Sequence, residues 1–119
     1  MTDHDHSYMV ASLVKDGQDI VNELTAEQAH LAHMAIGISG ESGELLDAIK
    51  KHVIYGKPLD MENVIEELGD LEFYMEGIRL GLGISREKCL HANIQKLGKR
   101  YADNKYSNES AISRADKQE

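Results

Sequence analysis

Two pairs of acidic residues, Glu41 with Glu44 and Glu67 with Asp70, have the spacing at which side chains share one face of a helix. Each pair lies in an otherwise apolar, amphipathic stretch, where a carboxylate is costly unless another group compensates its charge. Four convergent carboxylates with no base among them are ligands for a hard divalent cation, and Mg²⁺ is the usual choice. The pairs therefore indicate an enzyme that acts on phosphates.

Two long helices are predicted to position these pairs. Thr25 begins a capping-box pattern, and the periodic stretch that follows runs to about Val53. Residues 54–59 contain a glycine and a proline and predict a connection. Asp60 is then the N-cap of a helix over 61–82 with a heptad-like apolar seam. In an antiparallel hairpin, both acidic pairs would stand about 9–18 Å from the turn, at 1.5 Å per residue.

Three glycines, Gly37, Gly40 and Gly43, interrupt the first long helix at intervals of three residues. Each lowers helix propensity by about 1 kcal/mol relative to alanine. They are compatible with a kink or break, or with close approach of a neighbouring helix. Because the apolar period continues past them, we expect close approach or only a mild break.

The ends of the chain give weaker patterns. Residues 1–6 are polar and are predicted to fray, and Ser7 is predicted to cap a short first helix that Gly17 weakens or ends. Ser85 is predicted to cap a last helix over residues 86–101.

One face of that last helix carries Asn93, Lys96 and Arg100, spaced three and four residues apart. Their amide, ammonium and guanidinium groups can hold phosphate oxygens and a sugar or base edge. An apolar face lies beside them. The polar face is therefore a candidate for binding the phosphates that metal ions would bridge.

Composition favours packed helices over a sheet. Hydrophobic residues make up 41% of the 119 residues and aromatic residues 5%, with a single proline. A core must therefore consist of aliphatic side chains, and no strand-like alternation of useful length occurs. We predict an all-α fold with one domain over residues 1–102. Residues 103–119 are predicted to form a polar C-terminal arm, partly disordered.

Charge and cysteine content restrict the partners. The net charge of −8 argues against a nucleic-acid partner and means that a polyanionic substrate needs metal ions to approach. The single cysteine, Cys89, cannot form an internal disulfide, which favours a reducing compartment. No apolar run approaches the roughly 20 residues of a membrane span. We expect a soluble, cytoplasmic protein with no membrane partner.

The order of these motifs resembles the MazG-like nucleoside triphosphate pyrophosphohydrolases of the all-α NTP pyrophosphatase superfamily. The matching segments are GESGELLDAIKK from Gly40, EELGDL from Glu66 and NIQKLGKRY from Asn93, within roughly Leu31 to Tyr101. The resemblance implies an antiparallel helical bundle whose core is completed by dimerisation. It further implies a homodimer, or a homotetramer built as a dimer of dimers.

The resemblance also implies a reaction, the hydrolysis of a nucleoside or deoxynucleoside triphosphate to the monophosphate and pyrophosphate. Mg²⁺ is the implied cofactor, with Mn²⁺ as a possible substitute. By position, Glu41, Glu44, Glu67 and Asp70 match the family's metal-binding and catalytic residues, and Asn93, Lys96 and Arg100 match its substrate-binding helix. Which glutamate acts as the base, how many metal ions bind and which base and sugar are preferred stay open.

Two other classes of function remain as alternatives. A di-iron or manganese carboxylate protein of the ferritin type uses Glu-x-x-His twice, whereas this chain has one such match, Glu27 to His30. A non-catalytic helical adaptor would use the acidic pairs only as solvated surface.

Overall fold

The structure, a computed structural model, describes residues 2–102 and 105–114, and these are helical with no strand. The helices are α1 (Asp3–Leu13), α2 (Gly17–Glu23), α3 (Ala26–Val53), α4 (Met61–Leu82), α5 (Arg86–Arg100) and α6 (Asn108–Ser113). The all-α prediction is confirmed. None of the helices in the described ranges has the length and apolar composition that a membrane crossing requires.

Local capping sets the start of each of the three longest helices. Thr25, Asp60 and Ser85 each accept a hydrogen bond from the backbone N–H three residues later. Such caps contribute about 1 kcal/mol each, because they satisfy backbone donors that the first turn leaves free. Gly83, in the left-handed conformation at φ 67°, ends α4. These boundaries agree with those predicted from the sequence.

The start of the chain differs from the prediction. Thr2 and Asp5 form a capping box at the N-terminus of α1, so the helix begins at Asp3 and contains Ser7. The predictions of a cap at Ser7 and of frayed residues at the start are therefore wrong for residues 2–6. The acidic side chains that suggested fraying instead lie in the first turn, where the helix dipole favours negative charge.

Helices α3 and α4 form the antiparallel hairpin. Gly37 on α3 faces the ring of Tyr74, and one turn earlier Met34 faces Gly77 on α4. His30 Nε2 is 2.8 Å from the Gly77 carbonyl oxygen, a hydrogen-bond distance. Since contacts move backward along α3 as they move forward along α4, the two helices run in opposite directions.

The close approach of these helices depends on small residues. A Cβ atom on Gly37 would overlap the Tyr74 ring, and one on Gly77 would overlap Met34 Sδ. In contrast, a Cβ on Gly40 or Gly43 would meet nothing within 4 Å. Helix α3 is continuous through this region. Close approach is thus confirmed at Gly37 and wrong at Gly40 and Gly43, and no break occurs.

A single chain buries very little of its apolar surface. Within the described ranges, Met34 and Ala48 are the only buried hydrophobic residues. The radius of gyration is 20.2 Å, whereas a compact domain of this length has about 13.5 Å. Extensive packing joins α3 to α4, and a smaller contact joins α5 to α6, but α1, α2 and α5 do not pack extensively on the hairpin. The chain therefore exposes most of the apolar faces that its sequence predicts.

We expect Gly37→Ala and Gly40→Ala to change stability in opposite directions. At Gly37 the added methyl group collides with Tyr74, and overpacking of about 1–3 kcal/mol outweighs a helix-propensity gain of roughly 1 kcal/mol. At Gly40 the methyl group meets open space, so only the gain remains. Thermal unfolding followed by circular dichroism should show a lower midpoint for Gly37→Ala and a higher one for Gly40→Ala. Equal shifts for both variants would contradict the packing described.

Candidate metal centre

Three of the predicted acidic residues meet where α3 and α4 face each other. Oxygen atoms of Glu41, Glu67 and Asp70 all lie within 4.8 Å of one another. The helix register explains the meeting. Gly37 on α3 contacts Tyr74 on α4. Glu41 lies four residues after Gly37, and Asp70 lies four residues before Tyr74. Because residues four apart share a helix face and the helices are antiparallel, Glu41 and Asp70 lie opposite each other. We refer to Glu41, Glu67 and Asp70 as the carboxylate cluster.

Glu67 shows the electrostatic strain of this arrangement. When the carboxylates are ionised, its Oε2 atom is buried without a hydrogen-bond partner. The pKa of Glu67 is raised to about 7, and the largest cause is a hydrogen bond with the Glu41 carboxyl, which forms only when the pair holds a proton. Burial and the charges of Glu41, Asp70 and Glu44 act in the same direction and contribute to that value. Near neutral pH, Glu67 is therefore only partly ionised, and a positive charge within the cluster would favour its ionised form.

The chemistry of the donors fits a hard divalent cation. Every member of the carboxylate cluster offers oxygen, and neither histidine nor cysteine takes part. Oxygen-only sites suit Mg²⁺, Ca²⁺ and Mn²⁺ rather than softer metals. The unpartnered oxygen of Glu67 would gain a ligand in such a site. The cluster is thus suited to a cation of this class.

Glu44, the fourth predicted ligand, lies outside the carboxylate cluster. It is exposed, and its oxygens are not among those that converge. Nevertheless its charge contributes to the raised pKa of Glu67, so the two residues are close. The register also places Glu44 level with Glu67, one turn beyond Glu41 and Asp70. The structure therefore brings together three of the four residues and leaves the fourth beside them.

The predicted substrate-binding residues lie on α5, away from extensive contact with the hairpin. Asn93 is exposed, whereas Lys96 and Arg100 are half-buried. The side chains of Asn93 and Lys96 form no hydrogen bond or ion pair with any other residue that the structure describes. A single chain does not pack this face of α5 against the carboxylate cluster.

Two features near the hairpin were not predicted from the sequence. Tyr74, one turn from Asp70, contacts Phe73 and His33 edge to face, with ring centroids 5.1 and 6.4 Å away. Arg79 is largely buried and pairs with Glu76 at 3.2 Å and Glu72 at 3.5 Å. The spacing of Glu72, Glu76 and Arg79 on one helix face was the available signal for the ion pairs. Nothing in the spacing distinguished Tyr74 from the other tyrosines.

Comparison with known proteins identifies a family. The family model described as "MazG nucleotide pyrophosphohydrolase domain" matches residues 28–103. The match spans α3, α4 and α5 and includes every predicted site residue. Searches of curated proteins and of solved structures give no significant match.

The raised pKa of Glu67 leads to a testable dependence on pH. Because this pKa rises from 4.5 to about 7 on folding, the folded protein binds more protons than the unfolded chain in that window, and the metal-free protein loses stability as pH rises. We therefore expect Glu67→Gln to raise the melting temperature of the metal-free protein at about pH 8 and to leave it nearly unchanged at about pH 4. Differential scanning calorimetry in chelator is the measurement.

Glu66→Gln is the matched control, since Glu66 is exposed and lies outside the carboxylate cluster. Adding Mg²⁺ at about pH 8 should raise the melting temperature of the Glu66→Gln protein but not that of Glu67→Gln. A Glu67→Gln protein that melts lower than wild type at this pH would show that Glu67 is not strained in the way described.

Proposed function

The chain belongs to the MazG nucleotide pyrophosphohydrolase family, and on this premise we propose that it hydrolyses a nucleoside or deoxynucleoside triphosphate to the monophosphate and pyrophosphate, with Mg²⁺ as cofactor. The observation that best supports this is the convergence of Glu41, Glu67 and Asp70 at the helix interface. Such a cluster is costly in a protein without a cation, and a triphosphate is a substrate that requires one.

We assign the Mg²⁺ site to Glu41, Glu67 and Asp70. Glu44, the fourth predicted ligand, lies outside the carboxylate cluster and is proposed below for a different role. Mn²⁺ has similar ligand preferences and is the expected substitute. When bound, the cation neutralises phosphate charge and lowers the pKa of coordinated water. The packing of α3 against α4 would hold the carboxylate ligands in place around the cation.

Glu44 is the acidic residue best placed to accept a proton. Its carboxylate lies outside the carboxylate cluster and is exposed, so a water molecule can reach it. In the proposed reaction, water attacks the α-phosphorus while Glu44 takes the proton from that water. The bond from this phosphorus to the bridging oxygen breaks, and pyrophosphate leaves with the electron pair. The products are the nucleoside monophosphate and pyrophosphate.

Asn93, Lys96 and Arg100 are assigned to the phosphate chain. The net charge of −8 opposes the approach of a polyanion, so cationic groups near the cluster are needed. Guanidinium and ammonium groups also stabilise charge that develops on phosphate oxygens during the reaction. These residues therefore contribute to substrate binding and to the stability of the transition state.

We further propose that the protein is a homodimer, or a homotetramer formed by two dimers. The exposed apolar residues of α5, Leu90, Ile94 and Leu97, support association, as does the scarcity of buried residues in one chain. Because α5 does not pack extensively on its own hairpin, we propose that a neighbouring copy supplies this helix to the carboxylate cluster.

The di-iron alternative has little support in the contacts of His30. Nε2 of this residue lies 2.8 Å from the Gly77 carbonyl oxygen, a backbone contact that occupies the ring nitrogen. The oxygens that converge come from Glu41, Glu67 and Asp70 instead. We therefore retain the pyrophosphohydrolase as the proposed function.

Product analysis tests this function directly. With Mg²⁺ and a panel of canonical and modified ribo- and deoxynucleoside triphosphates, at least one substrate should yield equal amounts of monophosphate and pyrophosphate, measured by phosphorus-31 NMR. Chelator should stop the reaction, and Mn²⁺ should restore part of it. Release of orthophosphate and a diphosphate would contradict attack at the α-phosphorus.

Site variants connect that activity to the carboxylates. We expect Asp70→Asn and Glu44→Gln each to lower kcat/KM by about 100-fold or more, the scale of losing one preorganised electrostatic group. Circular dichroism should show nearly unchanged helix content, and Glu66→Gln should retain activity. Near-normal rates for Asp70→Asn would show that the carboxylate cluster is not the active site.

A further inference from the structure

A groove of about 570 Å³ runs along α4 on the part of the hairpin remote from the turn. Its exposed lining surface is almost wholly apolar and comes from both helices of the hairpin and the start of α5, although the charged residues Glu72, Glu76, Arg79 and Arg86 also line it. The residues used below as the groove are His30, Met34, Phe73, Gly77, Leu80 and Arg86. The carboxylate cluster takes no part in it.

The volume alone would suit a small molecule, but the polar groups do not. Small-molecule sites combine an apolar cavity with a few convergent polar groups that orient the ligand. Here the guanidinium of Arg79 is already paired with Glu76 and Glu72, and Nε2 of His30 is engaged by a backbone carbonyl. An apolar segment of protein fits these walls better.

The chain itself contains an apolar segment without a partner. Helices α1 and α2, called the arm below, carry hydrophobic residues at helical spacing, and none of them is buried. These residues are Met9, Val10, Leu13, Ile20, Val21 and Leu24. Neither helix packs extensively against the hairpin of its own chain. The arm and the groove are therefore two apolar surfaces that a single chain leaves exposed.

Charge and position favour the arm as the occupant of the groove. Residues 2–24 contain five acidic residues and one lysine, and that lysine, Lys15, pairs with Glu23 at 2.7 Å. Among the charged residues of the groove, Glu72 and Glu76 both pair with Arg79. Arg86 forms no ion pair within residues 2–102 and 105–114. The arm also joins α3 at Thr25, close to His30 in the groove. An acidic, apolar arm thus begins at the end of the hairpin where an apolar groove with a free arginine lies.

We propose that the arm of one copy docks in the groove of a second copy, and that the arm of the second copy docks in the groove of the first. A twofold axis relates the two contacts, so they are identical and the assembly is a closed dimer. Met34, one of the two buried hydrophobic residues, would lie under the docked helix. This proposal rests on the association of copies proposed above and adds which surfaces meet.

Disulfide formation between two differently marked copies, with oxidised glutathione as the oxidant, tests the exchange. In a Cys89→Ser background, one full-length preparation carries Leu13→Cys and the other carries Leu80→Cys, at positions 76% and 75% exposed in one chain. Docking raises the effective thiol concentration from micromolar to roughly millimolar, so the mixed disulfide should form at least about tenfold faster than from collision. Mass spectrometry of the mixed dimer gives the rate.

Two controls have similar exposure. Tyr8→Cys, at a position 73% exposed, lies about 140° around α1 from Leu13 at 3.6 residues per turn, and it should react slowly with Leu80→Cys. Ile94→Cys, on the exposed apolar face of α5, should react slowly with Leu13→Cys. Fast reaction of Leu13→Cys with Ile94→Cys, or equal rates from Tyr8→Cys and Leu13→Cys, would overturn the proposal.

Sedimentation velocity separates this proposal from the association it rests on. A monomer at all concentrations contradicts both, whereas an oligomer without the mixed disulfide contradicts the exchange alone. If a cysteine variant fails to fold, hydrogen exchange of the wild-type chain takes its place. Amides in residues 3–23 should become protected as protein concentration rises through the association range, and an unprotected arm in the oligomer would overturn the proposal.

Discussion

The close approach of α3 and α4 determines where the acidic side chains of the hairpin lie. Gly37 and Gly77 let the helices come near enough for Tyr74 and Met34 to pack across the interface. The same register carries Glu41, Glu67 and Asp70 into one place at the next turn. Carboxylates that would be solvated on a lone helix are thereby held together, with one oxygen buried and without a partner.

This arrangement links the stability of the hairpin to its chemistry. A hydrogen bond with Glu41, burial and the neighbouring negative charges together raise the pKa of Glu67, so the metal-free hairpin is strained near neutral pH. A divalent cation relieves that strain and at the same time provides the charge that a triphosphate requires. In the proposed enzyme, cofactor binding and hairpin stability are therefore parts of one equilibrium.

In the proposals, association of copies contributes both to the stability of the fold and to the active site. A chain that buries Met34 and Ala48 alone among its described hydrophobic residues would gain most of its core from neighbours in the proposed assembly. The carboxylates lie on the hairpin, whereas the cationic residues proposed for the phosphates lie on α5, which does not pack extensively against it. Assembly would then complete both the hydrophobic core and the active site.

The sequence predicted the helices that carry the site better than it predicted their packing. Caps at Thr25, Asp60 and Ser85 are local signals, so the starts of α3, α4 and α5 could be read directly. The rotation of a helix about its axis is not set by local sequence, because it depends on packing against other helices. The predicted apolar seam of α4, which includes Leu71 and Met75, lies beside the row that faces α3, and that row contains the acidic residues.

The same limit explains what the sequence left undetermined. Glycine spacing alone did not show that Gly37 packs against the ring of Tyr74, whereas Gly40 faces open space. Nor did it show that Glu44 stays outside the carboxylate cluster, because a side chain's position depends on the rotation of both helices. In the proposed assembly, α5 packs against a second chain, and a pattern within one chain does not describe such a contact.

We propose that Glu41, Glu67 and Asp70 lie together because they bind a divalent cation. Anomalous diffraction from crystals grown with Mn²⁺ would locate such a cation. We expect a manganese peak between α3 and α4, within coordination distance of oxygens from all three residues. Saturating Mn²⁺ with no peak at this position, or with ordered peaks only elsewhere, would contradict it.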